Sequence, residues 1–361
     1  MVRFHQHHRP GGTLIDCPTG HAIVATIAEI HLEPTVLPTL CSILYPGDST
    51  RGSCTLASVA SWADEFKNRM KWSAPMHYAN AVADHPPQLC LFPGSKGWEG
   101  QPNVNVLGGI RNTTDLLGHW VAEGSDPQDG VASEALKFLI HFAGDMHQPF
   151  HLVGRARGAN DVFVRWDKRK VRKYFFFGVE QVGKIEPSSP IGLHGVWDGN
   201  LVAKAIQTTP STWDRKLSPE IESHLHGSNY DSLIRKVLVQ GLNHTWASEV
   251  GSWLQCPSVG SSPNGDQTVL EPQWLPSDTD DGTVCPWHWA TPIHQLTCDW
   301  VWPKQLEQPP YDNPQGPLLE LDTADYGGKI TKEWVVEKLL TMGGIRLAAI
   351  LNLIFAKPHD S

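Results

Sequence analysis

Residues 141 to 151 read His-Phe-Ala-Gly-Asp-Met-His-Gln-Pro-Phe-His, and this stretch restricts the fold more than any other. It closes an apolar, helix-compatible run over 132–146, so His141 and Asp145 stand one turn apart on one helix face. Pro149 lacks an amide hydrogen and stops that helix, which lets His151 turn back toward the same end. A second pair, His194 and Asp198, repeats the four-residue spacing. One such pair is ordinarily a surface ion pair. Two pairs with a third histidine beside a helix stop are better explained as imidazole and carboxylate donors gathered for a cation, the set zinc takes in catalytic sites. A fold that serves them must bring two separate helices to one point.

The rest of the pattern is helical too. Apolar residues at 3-4 spacing predict helices over 21–32, 56–70, 193–207 and 332–355. Segments 84–112, 256–286 and 303–317 are rich in Pro, Gly, Asn or Ser and read as long loops. Only 161–166 alternates well enough for a strand, and no internal repeat is present. The expected fold class is all-α: a single compact multi-helix domain with long loops and room for one small β-hairpin.

Charge then limits function. With 29 Lys+Arg against 38 Asp+Glu the formal net charge is −9, and charged residues are only 19% of a chain that is 40% hydrophobic. That composition excludes long-range disorder. The acidic balance opposes a broad basic surface for nucleic acid, so any phosphate chemistry must take its positive charge from elsewhere. The most apolar stretch, 345–356, is too short to span a bilayer and carries Arg346 and Asn352; no membrane partner is expected. The first twenty residues are rich in His, Gly and Pro and show no signal peptide. Asn112 and Asn243 each open an Asn-x-Thr sequon, a glycosylation acceptor if the chain is secreted.

Further motifs complete the picture: Gly20-His21, Ser61-Trp62-Ala63-Asp64, Trp72-Ser73 with His77-Tyr78, the 141–151 stretch, His194-x2-Trp197-Asp198, and Gly344 to Asn352. In this order they resemble the S1/P1 nuclease family, zinc-dependent single-strand nucleases and 3′-nucleotidases of fungi and plants, from about Gly20 to Phe355 with one interruption. The resemblance implies the P1 nuclease/zinc phospholipase C type of all-α fold with three Zn2+ ions. Asp64, His77, His141 and Asp145 would hold one, Asp145 and His21 a second, and His151, His194 and Asp198 the third. Three dications around one phosphodiester would activate water, neutralise phosphoryl oxygens and stabilise the leaving oxygen without a separate protein base. The implied activity is hydrolysis of single-stranded DNA and RNA at the P–O3′ bond, leaving 5′-phosphates, together with removal of 3′-phosphates from nucleotides. A secreted monomer is implied as well. Tyr78 and Asn80 match positions that stack on and hydrogen-bond a base. Beside Asp64, Lys67 stands where the family has Arg; it keeps the charge and loses the two-pronged contact.

The resemblance is interrupted in places. The family holds the second zinc partly through an N-terminal Trp five residues before the position of His21; here that position is Asp16. The leader 1–19 does not match and reads as disordered or as a gene-model artefact in place of a signal peptide; a His-rich metal-scavenging arm (His5, His7, His8) is the functional alternative. An insert at about 168–192 begins Lys-Arg-Lys-Val-Arg-Lys-Tyr-Phe-Phe-Phe, which reads either as translated intron or as a nucleic-acid-gripping flap. Within the resemblance, Cys41 and Cys54 flank a short loop and can pair, Cys90 can join Cys285 or Cys298, and Cys17 is left over. Two rival readings stand beside the nuclease: a zinc phospholipase C, whose final ligand is Glu where Asp198 lies here, and a metal-binding glycoprotein impaired by the altered start.

Overall fold

The structure is a computed structural model that describes residues 18–47, 54–93, 96–101, 103–124, 130–166, 173–176, 179–182, 189–257 and 280–356. Its centre is α5 (Gly130–Asp145), which buries ten of its sixteen side chains, among them Leu136, Leu139, Ile140 and Phe142. A helix apolar on nearly every side must be enclosed. It is enclosed by α1 (Pro18–Ile30), α2 (Val36–Leu44), α3 (Trp62–Phe66), α4 (Val106–Glu123) and α9 (Val335–Phe355). The shorter helices α6 (Leu201–Gln207), α7 (Asp231–Lys236) and α8 (Pro286–Leu296) complete the shell. The all-α class is therefore as expected. Strands are minor: β1 (Phe163–Val164) pairs antiparallel with β4 (Ile191–Gly192), and β2 (Lys173–Phe176) with β3 (Val179–Val182). The second pair is a small hairpin within the insert, and the first realises part of the strand expected over 161–166.

Two expected spans are corrected. The helix predicted over 56–70 is broken into a 3-10 turn, Leu56–Val59, and the short α3. The break leaves the Ala60 carbonyl to accept a hydrogen bond from His141 Nδ1 at 2.8 Å, so regular helix is given up to hold a side chain of the site. The loop expected over 84–112 ends early, because α4 starts at Val106. Asn105 caps it, its Oδ1 accepting from the amides of Leu107 and Gly108 at 3.0 Å each. The two glycines that suggested a loop serve packing instead: a Cβ on Gly108 would lie 1.9 Å from the Asn103 carbonyl oxygen. The loop expected over 256–286 agrees with the structure at its described residues 256–257 and 280–285, and α8 follows at Pro286, a proline at a first helical position where its missing N–H costs nothing.

α9 is long and apolar enough to cross a membrane by length and composition, longer than the 345–356 stretch suggested. Fifteen of its 21 side chains are buried inside the protein, Glu337 and Arg346 included. Disulfides join Cys41 to Cys54, Cys90 to Cys298 and Cys256 to Cys285. Of the two partners open to Cys90, Cys298 is the one used, and Cys285 is taken by Cys256. Cys17 and Asp16 lie outside the described residues, as do His5, His7 and His8.

Candidate metal centre

The C-terminal turn of α5 supplies His141 and Asp145, as the spacing requires, and Pro149 opens the 3-10 turn Pro149–Leu152 that carries His151 back. α1 contributes His21, α3 Asp64, and the 3-10 segment Lys71–His77 contributes His77. His194 and Asp198 come from a distorted helical stretch that widens into a π turn at Val196–Asn200 before α6. All eight expected ligands therefore reach one region. Three groups, His21/Asp64/His141, His77/His141/Asp145 and His151/His194/Asp198, each have ligand atoms within 4.8 Å of one another.

Hydrogen bonds set the direction of the rings. Nδ1–H of His141, His151 and His194 donates to the carbonyls of Ala60, His77 and Gly158 at 2.8, 2.6 and 2.7 Å. With the proton there in the neutral ring, each Nε2 carries a lone pair into the centre. His141 Nε2 lies 3.2 Å from Asp145 Oδ2 and 3.1 Å from His77 Nδ1. His194 Nε2 lies 3.2 Å from Asp198 Oδ2, and His151 Nε2 lies 3.7 Å from Asp198 Oδ1. Lone pairs aimed at carboxylates repel unless a proton or a cation lies between them. In addition, His21 Nδ1 and His77 Nε2 are buried with no hydrogen-bond partner, which is costly in a purely structural cluster. The donor set of imidazole and carboxylate fits zinc.

Burial opposes charge on His151, but Asp145 and Asp198 outweigh it and push its pKa up to about 9. Burial likewise opposes the Asp145 and Asp198 carboxylates, yet the facing histidines hold both well below the usual carboxylate range. His21 goes the other way, lowered to about 4 by burial and by the neighbouring His141, on whose ring it stacks at 4.0 Å. That stack requires Gly144, because a Cβ there would lie 2.3 Å from His21 Nδ1.

Asp64, His77, His151, His194 and Asp198 line a cleft of ≈ 510 Å³, whose walls also include Lys67, Tyr78 and Asn80. Lys67 Nζ sits 3.2 Å from Asp64 Oδ1, with half of its side chain exposed. Asn80 donates through Nδ2 to Glu99 at 3.4 Å, which leaves its amide oxygen as an acceptor. Asn112 and Asn243 are exposed, on α4 and on the π-helical Val237–Thr245 segment.

Several further residues, not expected as ligands, complete the site. Gln148 donates to Asp198 Oδ1 at 2.8 Å. Arg157 and Asn160 also line the cleft. They arrive through four consecutive left-handed residues, Ala156 to Ala159, with φ of 51°, 55°, 62° and 62°, a conformation costly for non-glycine residues. His147 donates from Nδ1 to the Ala143 carbonyl and accepts at Nε2 from Arg346 of α9, at 2.7 and 2.9 Å. His147 and Gln148 stand in the sharpest motif, so a role was visible there; Arg157 and Asn160 depend on backbone geometry that spacing does not encode. A fourth group, Asp84/Cys90/His294, has its sulfur committed to the disulfide with Cys298. It reduces to a His294–Asp84 pair at 3.0 Å.

Comparison with known proteins agrees with the geometry. The family model "S1/P1 Nuclease" matches residues 17–356. Endonuclease 2 of Arabidopsis thaliana is 28% identical over 341 residues, 93% of this chain and 89% of the relative. Nuclease P1 of Penicillium citrinum is 37% identical over 155 residues, 41% of this chain and 51% of the relative. Nuclease S1 of Aspergillus oryzae is 27% identical over 254 residues, 66% of this chain and 75% of the relative. These relatives support a nuclease function, and thus a hydrolase acting on nucleic acid. The chain belongs to the S1/P1 nuclease family.

Proposed function

We propose that the protein hydrolyses single-stranded DNA and RNA at the P–O3′ bond to give 5′-phosphates, and that it removes 3′-phosphates from nucleotides. The convergence of eight His and Asp side chains into three adjoining donor groups, five of them lining one cleft, carries this reading. Three Zn2+ would be held by Asp64/His77/His141/Asp145, by His21/Asp145 and by His151/His194/Asp198. Bound there, they would supply Lewis acidity toward a phosphoryl oxygen and a water ionised near neutral pH.

The chain's own residues do the rest. The carbonyls of Ala60, His77 and Gly158 hold three imidazoles in the liganding tautomer. Gln148 fixes the Asp198 carboxylate. Lys67 brings a cation to the cleft wall, where it offsets phosphate charge. Tyr78, 43% exposed, offers a ring face to a base, and the Asn80 oxygen accepts from a base amino group. The three disulfides favour an oxidising compartment, and with the exposed sequon asparagines they support a secreted, glycosylated protein.

An end-labelled single strand digested by the zinc-loaded protein tests the reading. Products with 5′-phosphate and 3′-hydroxyl ends are expected. Products with 3′-phosphates, or an intact strand, would overturn it.

A further inference from the structure

We propose a second base-stacking platform on Trp72, edged by Lys71, which extends the cleft so that the site engages a single strand beyond the nucleotide at Tyr78. The proposal rests on reading the cleft as a nuclease site, and it adds the length of substrate that the site grips.

Trp72 is 57% exposed, more than any other large apolar side chain among the described residues. A ring so placed gives up most of the burial free energy available to it. It is nevertheless held in place: it meets Phe138 of α5 edge-on, with centroids 5.5 Å apart at 61°. It also sits on the same 3-10 segment, Lys71–His77, that ends in a candidate metal ligand. Its position is therefore tied to the centre.

A cavity of ≈ 500 Å³ lies in front of it, lined by Lys71, Trp72, Tyr78, Asn80, Glu99 and Gln101 among others. Tyr78 and Asn80 line the catalytic cleft as well, so the two hollows meet across the Tyr78 ring. A strand leaving the first base position passes directly into the second hollow. There it meets the three elements that single-strand binding uses: an aromatic face, a cation and polar edge groups. Lys71 is exposed and has no ion-pair partner among the described residues, which leaves it available to a phosphate. The Glu99 carboxylate, anchored by Asn80, repels phosphate and accepts from base amino groups. Together they place the backbone on the Lys71 side and the base on Trp72. Stacking of this kind tolerates any base, because every base has a π face.

The test compares the zinc-loaded protein with its Trp72→Ala and Trp72→Phe variants. The first measurement is fluorescence anisotropy with a labelled, phosphorothioate-linked decanucleotide that resists cleavage. The second is the ratio of kcat/KM for an ordinary decanucleotide to that for a 3′-phosphorylated nucleoside. Trp72→Ala is expected to weaken decanucleotide binding about tenfold, equivalent to about 1.4 kcal/mol and within the ~1–3 kcal/mol range for one stacked base. The kcat/KM ratio falls by a similar factor through KM, and Trp72→Phe restores most of both. Unchanged binding in Trp72→Ala, equal losses on both substrates, or a parent protein that does not bind the strand would overturn the platform. Trp72-dependent binding without cleavage by the parent would uphold the platform and reject the hydrolase reading instead.

Discussion

Gly144 has no side chain, and that fixes where His21 can lie. The imidazole occupies the space a methyl group would take, 2.3 Å from its Nδ1. Gly144→Ala should therefore push His21 off Asp145 and lower the zinc content by about one ion per chain, with helical content by circular dichroism unchanged. Unaltered zinc content would refute the assignment of His21. Lys67 gives a second residue-scale test. Its single ammonium, 3.2 Å from Asp64, replaces the planar fork expected from the family resemblance, and arginine makes two directed contacts to a phosphoryl group where lysine makes one. Lys67→Arg should raise kcat on single-stranded DNA severalfold, by about 1 kcal/mol of transition-state stabilisation; equal rates would remove Lys67 from the reaction. At this scale His141, Asp145, His194 and Asp198 could be read from the chain because four-residue His/Asp spacing survives folding whenever a helix forms, whereas His21, Asp64 and His77 were legible only through the family resemblance. Arg157 and Asn160 could not be read, since the left-handed run Ala156 to Ala159 that delivers them contains three non-glycine residues and only one glycine.

Element by element, legibility followed how much the local pattern had to yield to the site. α5, α1 and α9 obey helical spacing and were expected nearly in full. The 56–70 span was not, because the Ala60 carbonyl leaves the helix to serve His141. α4 was concealed by a glycine pair that exists for close packing, and its start rests on Asn105. Asn105→Ala should destabilise the protein by about 1–2 kcal/mol, as loss of a buried cap does; a change below a few tenths in urea denaturation would show that packing alone sets the start of α4. The contact between the end of α5 and α9 adds a pH signature. Burial and the adjacent Arg346 hold the His147 pKa down at about 3, against 6.5 when unfolded. The unfolded chain thus binds a proton that the folded protein refuses. Stability from this residue is complete above 6.5 and is lost as pH falls toward 3, by about 1.4 kcal/mol per unit. In His147→Gln the slope of unfolding free energy between pH 6.5 and 4.5 should be shallower by about one proton. An identical slope would contradict the neutral His147–Arg346 pair.

Over the whole molecule, the disulfides bind together regions that sequence alone left open. Cys90 and Cys298 are 208 residues apart, and their link joins the loop that precedes α4 to the segment after α8. Loop length makes this the bridge with most to lose: replacing both cysteines by serine should cost about 2–5 kcal/mol. A smaller loss would mean that the core holds the two halves unaided. The partner could not be chosen from spacing, because Cys285 and Cys298 lie at the two ends of one helical region, and only the packed fold separates them. The net charge of −9 similarly looked unfavourable for a phosphate-bearing substrate until the acidic and imidazole groups met at one floor, where they read as ligands for cations. That convergence is the central claim. Elemental analysis of the protein purified with zinc, paired with digestion of single-stranded DNA before and after chelation, tests it most directly. The account predicts three zinc ions per chain, cleavage abolished by EDTA, and recovery when zinc is returned. Less than one zinc per chain, or cleavage that persists after chelation, would contradict it.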